Sequence, residues 1–185
     1  MPSAGSVPPR GPEAGSSEST ADPLRRLVAV MDRLRSPGGC PWDAEQTHAS
    51  LLPYLLEETY ETIESVETAD VAGLQEELGD LLLQVVFHAR IAAESAPGFD
   101  IDDVASGITD KLIRRHPHVF GDADAPEPEV AEQTWFEIKS AEKGRTSVTD
   151  GVPMGLPPLA LLTKLHHRAR AGGVNLLPAD DLALV

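Results

Sequence analysis

Apolar residues recur at helical spacing along most of the chain. Leu24, Leu27, Val28, Met31 and Leu34 lie one helical turn apart behind Asp22-Pro23, a capping acid followed by a first-turn proline, and Ser36-Pro-Gly-Gly ends that helix. Cys40-Pro-Trp-Asp43 reads as a loop. A second helix starts near Leu51 to Pro53 and runs to about Val66, with Leu52, Leu55, Leu56, Thr59, Ile63 and Val66 as its stripe. A short link, Thr68 to Asp70, leads into the longest helix, roughly Val71 to Glu94, with Leu74, Leu78, Leu81, Val85, Ala89 and Ala92 on one side. Around Leu82, Leu83, Val86 and Phe87 the same helix is apolar on nearly every side, which predicts burial in a bundle centre or across a subunit interface. Leu83 and Phe87 are the expected partner-facing residues.

Asp100 is placed to cap a further helix ending near His116, where Pro117 disfavours continuation. His116 and His118 then flank Pro117 in a turn, and Asp122 to Pro128 is an acidic loop. Pro128 to Lys143 forms a helix carrying Trp135, Phe136 and Ile138, and Pro157 to Ala171 a last, partly basic one. No segment sustains strand alternation, so the expected class is all-α, a helical bundle. Residues 1–21, rich in Pro, Gly and Ser, read as a disordered extension.

Charge changes this picture at one place. The net charge of −15 argues against a nucleic-acid polymer or an anionic membrane as partner. One cysteine fits a reducing cytoplasm, and Leu81 to Phe87 is too short an apolar run to span a bilayer. Between Arg35 and Arg90 there is no Lys or Arg, yet the interval holds Glu57-Glu58-x-x-Glu61 and Glu77-x-x-Asp80 on successive helices. Residues three apart share a helix side, so Glu58/Glu61 and Glu77/Asp80 form two carboxylate pincers able to face each other. At about 5 Å, such charges repel by roughly 3 kcal/mol per pair at an effective dielectric near 20. A hard divalent cation, Mg²⁺ with Mn²⁺ as substitute, is the natural compensation for an all-oxygen set. The alternative is two solvated acidic faces. Gln84 and His88 continue the Glu77/Asp80 face, His88 as a packing or outer residue.

The segments GGCPWDAEQT, LLPYLLEETYE, EELGDLLLQVVFHARIA, DKLIRRHPHVFGD and WFEIK, in this order, resemble the MazG nucleotide pyrophosphohydrolases over about residues 23 to 170. The resemblance implies a MazG-like bundle, a four-helix core with extra terminal helices, that is dimeric and uses Mg²⁺ to cleave nucleoside triphosphates to monophosphate and pyrophosphate. It implies Glu58, Glu61, Glu77 and Asp80 as metal ligands. Glu57 is an outer member of the set, and Glu57 or Glu61 is a candidate base for the attacking water. Residues 22–144 would be the catalytic domain. Residues 145–185 would be a linker, terminal helix and tail that stop where longer members carry a second, similar domain.

Lys111, Arg114 and Arg115 form a basic cluster suited to gripping a polyphosphate, unless it is spent on interhelical salt bridges. The resemblance favours Lys111 and Arg115 as phosphate contacts. It also likens Trp135 and Lys139 to the family's nucleotide-binding W-x-x-x-K. Trp42 and Trp135 serve either base contact or packing, and Cys40 packs in its loop. A di-iron bundle would need two Glu-x-x-His pairs, and only Glu45-x-x-His48 occurs. A catalytically silent nucleotide-binding or protein-interaction bundle is the alternative to the hydrolase.

Overall fold

In the computed structural model, the described residues are 22–122, 127–144, 146–147 and 149–173. They form α1 (Pro23–Arg35), α2 (Pro41–Glu45), α3 (Leu52–Glu67), α4 (Val71–Ala92), α5 (Ile101–Arg115), α6 (Pro117–Phe120), α7 (Pro128–Glu142) and α8 (Pro158–Ala171), and no strand occurs among them. The expected N-terminal extension and the tail beyond Gly173 lie outside the described residues. Two short helices replace expected non-helical segments. α2 starts at Pro41 inside the expected loop, and α6 starts at Pro117 where a turn was expected. In each, a proline at the first helical position supplies the right φ without wasting a hydrogen-bond donor.

The chain divides into two compact units, Met1–Val104 and Ala105–Val185, with the division inside α5. The first unit is built on α1 and α3, both packed along α4. The α1 start is capped by Asp22, whose Oδ1 accepts from Leu24 N at 3.0 Å. At the start of α5, Asp100 accepts from the backbone of Asp102 and Asp103, while Asp103 accepts from Asp100 N, a reciprocal cap.

The core of this unit joins Met31, Leu51, Val86 and Phe87, flanked by Leu27, Val28, Leu34, Leu83, Ile91 and Ile101. Leu83 and Phe87 therefore face inward against α1, which corrects their expected partner-facing role. An apolar-all-round segment has no periodicity to show which side turns inward; α1 and Leu51 take the Leu83/Phe87 side. Among the apolar residues left exposed are Leu78, Leu82 and Val85 on α4, with Val71 at its start, and Leu52, Leu56, Ile63 and Val66 on α3, beside Tyr54 and Tyr60.

Arg35 closes the core. Its side chain is 4% exposed, grips both oxygens of Glu94 at 2.8 Å, donates to the carbonyls of Asp43 and Gln46, and lies over the Phe87 ring. Arg90 adds bonds to Asp32 and Glu94 at 2.8 and 3.0 Å. These contacts tie the ends of α1 and α4 to the α2 segment.

The second unit comprises the rest of α5 and α6 to α8. Asp150 Oδ2 accepts from the backbone of Thr146 and Ser147, and the buried Arg168 on α8 donates to the Asp150 carbonyl at 2.7 Å. No helix among the described residues is long and apolar enough to cross a membrane.

Candidate metal and nucleotide site

The α3–α4 turn positions the acidic residues. Ala69 takes a positive φ of 55°, and Asp70 Oδ1 accepts from Ala72 N and Gly73 N at 3.1 Å, starting α4 back alongside α3. A Cβ at Gly73 would stand 2.8 Å from Asp70 Oδ2 and 3.0 Å from Ser65 Oγ. Glycine at this position therefore lets the first turn of α4 run close to the last turn of α3.

Down this seam, carboxylate oxygens of Glu58, Glu77 and Asp80 come within 4.8 Å of one another, all three half-buried. Burial, then repulsion from Asp80, Glu61 and Glu77, pushes the Glu58 carboxyl above its ordinary range. Glu77 is raised in the same way, by burial first and then by Glu61, Glu76 and Asp80. Glu61 is exposed beside Glu77, and Glu57 is exposed and adds to the repulsion on Glu58. Among the described residues no Lys or Arg forms an ion pair with any of the five. Oxygen donors of like charge, held together without a counter-cation, suit a hard divalent ion and fit neither a thiolate nor an imidazole site. The three-carboxylate core leaves Glu61 at its edge.

The same face of α4 continues into Gln84, which is buried, and half-buried His88. His88 Nδ1 lies 2.8 Å from His48 Nδ1, with burial and the His48 charge lowering the His88 pKa. Trp42 on α2 is half-exposed and meets Tyr54 edge-on at 5.9 Å. Cys40 is a free, half-buried thiol just before α2.

In the second unit the basic cluster separates into unlike members. Arg115 is 5% exposed, with Nε and Nη2 bonded to Glu142 Oε2 at 3.0 and 2.6 Å, while Arg114 Nε reaches Glu142 Oε1 at 3.1 Å. These bonds, Arg115's first, hold the Glu142 carboxyl below its ordinary range. Arg115 also lies 5.3 Å from the Trp135 ring centroid and Lys139 Nζ 4.2 Å from it, so the indole is a platform for two cations. Lys111 is half-buried and forms no ion pair among the described residues. Glu142 was missed in the sequence. Its signal was the spacing 135, 139, 142, which keeps it on the Trp135/Lys139 side of α7.

Residues 46–120 match the MazG nucleotide pyrophosphohydrolase domain. The solved structure of a mazG-related protein from Thermotoga maritima is 30% identical, with a TM-score of 0.53, and covers 63% of this chain and 98% of that one. The chain belongs to the MazG family. Two sequence relatives extend the likeness. A Streptomyces cacaoi protein named only by its 26.1 kDa size and its position beside blaB is 50% identical over 168 residues, 90% of this chain and 69% of that one. The nucleoside triphosphate pyrophosphohydrolase of Escherichia coli K12 is 46% identical over 156 residues, 82% of this chain. The chain spans 59% of the length of that relative.

Proposed function

We propose that this MazG protein hydrolyses nucleoside triphosphates, ribo- or deoxyribo-, to the monophosphate and pyrophosphate in a divalent-metal-dependent reaction that clears the nucleotide pool. The observation that carries the reading is the half-buried trio Glu58, Glu77 and Asp80, with oxygens within 4.8 Å and no cationic partner among the described residues. These three, with Glu61 completing the set, would hold Mg²⁺, or Mn²⁺ in its place. The ion supplies charge neutralisation for the substrate phosphates. Glu57 and Glu61, the exposed members, are the candidates to take a proton from the attacking water.

Lys111 and Arg114 supply positive charge for the departing pyrophosphate. Buried Arg115, clamped by Glu142, orders Trp135 and Lys139, and Trp42 is an aromatic surface for the base. Residues 22–144 form the catalytic domain in this reading, and 145–185 a linker, terminal helix and tail. The exposed apolar stripes of α3 and α4 support a homodimer. A single cysteine and a net charge of −15 support a cytoplasmic setting without a nucleic-acid polymer or membrane as partner.

The test is incubation with a panel of nucleoside triphosphates and MgCl₂, followed by separate measurement of monophosphate, pyrophosphate and orthophosphate. Equal monophosphate and pyrophosphate, abolished by chelator, is the expected outcome. Nucleotide binding without any product would leave the silent bundle as the reading.

A further inference from the structure

Glu77, Asp80, Gln84 and His88 follow one another at three- and four-residue spacing on α4, so their side chains share one side of the helix. Gln84 lies about 6 Å beyond Asp80 along the axis, and His88 about 6 Å further, at 1.5 Å per residue. Gln84 is 5% exposed, and neither its Oε1 nor His88 Nε2 has a hydrogen-bond partner among the described residues, although both atoms are shut off from solvent. A buried acceptor without a donor is costly and rare in folded proteins. Methionine would fill the Gln84 position with similar volume and no such cost. Packing alone therefore gives no reason for an amide here.

The other nitrogen of His88 meets His48, the two rings parallel within 2° and their centroids 5.1 Å apart. His48 is exposed and belongs to the segment between α2 and α3, close in sequence to the half-exposed Trp42. A polar stripe thus starts at the carboxylate trio and ends at His48, in the segment that follows the Trp42-bearing α2.

We propose that Gln84 and His88 form the base-reading end of the nucleotide site, with Gln84 Oε1 accepting a hydrogen bond from the exocyclic amino group of cytosine or adenine. The proposal rests on the reading that Glu58, Glu77 and Asp80 hold the metal-chelated triphosphate. From phosphates held there, the ribose and base reach one to two helical turns along α4, about 6–12 Å, which is the span of Gln84 and His88. The base comes in beside the exposed His48, which meets His88 at 2.8 Å. An amino group satisfies the orphaned carbonyl, whereas a keto oxygen in the same place sets acceptor against acceptor, as in glutamine's choice of an amino edge in nucleic acids.

Two pairs of substrates isolate this contact, because dCTP and dUTP, or dATP and dITP, differ at the base by an amino group against a keto oxygen. In at least one pair, wild-type kcat/KM should favour the amino member by about tenfold or more, and the pair that responds identifies the base. Gln84→Met should shrink that ratio to below about threefold, while Gln84→Glu, which keeps an acceptor oxygen, should retain the preference. Equal rates within both pairs in the wild type would overturn the proposal. So would a Gln84→Met protein with a lower Tm and an unchanged ratio, the behaviour of an amide that serves packing alone.

If no triphosphate releases pyrophosphate, the hydrolase reading fails separately. Thermal shifts with dCMP against dUMP, and dAMP against dIMP, then read the contact alone. A larger shift for the amino nucleotide, lost in Gln84→Met, supports it, and equal or absent shifts overturn it.

Discussion

At Asp80 the need for ligand oxygens and the cost of crowding negative charge pull in opposite directions. Replacing it with Asn keeps the shape and removes one charge from the trio with Glu58 and Glu77. Turnover should fall by about 100-fold or more, because the proposed metal site would lose a charged ligand. Without Mg²⁺ the Tm of Asp80→Asn should hold or rise, since repulsion is relieved. Saturating Mg²⁺ should stabilise the wild type by about 2.7 kcal/mol at 100 times its Kd and the variant by less. Full activity in Asp80→Asn would remove it from the site. The basic residues separate at the same scale. Lys111→Ala should raise KM for the triphosphate with little change in Tm, as the side chain is in no ion pair among the described residues. Arg115→Ala takes away the main partner of Glu142 and a cation stacked on Trp135, so it should cost about 3 kcal/mol of stability in denaturant unfolding as well. In the sequence these look like two equivalent cations four residues apart. Glu142 distinguishes them, and it lies 27 residues from Arg115, beyond the reach of any local spacing rule.

Among the elements, the junction of α1, α4 and the α2 segment depends on Glu94, just beyond the end of α4. Hydrogen bonds from Arg35, with the charges of Arg35 and Arg90, hold its carboxyl below the ordinary 4.5. A depressed acid contributes stability that is present above the ordinary value and lost as pH falls through the depressed one. The wild-type Tm should therefore drop steeply below about pH 4.5, and Glu94→Gln should flatten that limb. At neutral pH, Glu94→Gln should cost about 2 kcal/mol. That is less than for a fully buried pair, because the Arg35 side chain is 4% exposed but that of Glu94 is 39%. An unchanged acid limb would mean that the pair contributes nothing. The main helices around this junction were legible from caps and periodicity, since Asp22-Pro23 and Asp100 each announce a start that the backbone hydrogen bonds bear out. α2 and α6 were not. Each is a single proline-initiated turn of 5 or 4 residues, too short for a 3.6-residue pattern to register. Of the acidic site, the pairing of the two pincers could be read, because a short turn makes α3 and α4 neighbours. The exposed place of Glu61 beside Glu77, at the edge of the half-buried trio, could not, because it depends on how the helices roll against each other.

For the molecule as a whole, the decisive feature is which side of α4 remains uncovered. Leu78, Leu82 and Val85 are 51%, 37% and 43% exposed, and on the neighbouring α3 Leu56 and Ile63 are 57% and 44% exposed. On α4 these positions repeat at 78, 82 and 85, and on α3 at 52, 56, 63 and 66, the spacing of a helix-packing seam and not of scattered surface residues. Contiguous apolar surface of this kind on a small protein marks an interaction face, and a second copy is the most economical partner, because twofold pairing brings identical stripes together. Leu82 and Leu83 are adjacent in sequence but point about 100° apart on the helix. Leu83 packs on the Met31–Leu51–Val86–Phe87 cluster, whereas Leu82 belongs to the exposed stripe. A glutamate at each position therefore tests the two faces separately. Leu82→Glu should keep the helical circular dichroism and a cooperative melt but shift sedimentation from dimer to monomer. Leu83→Glu buries a charge in the core and should cost several kcal/mol, about 3 or more, giving poorly folded protein at any concentration. A wild type that sediments as a monomer at micromolar concentration, or a Leu82→Glu variant that stays dimeric, would reject the α3–α4 face as the subunit interface. The carboxylate trio would be untouched by that result, since its residues all come from one chain.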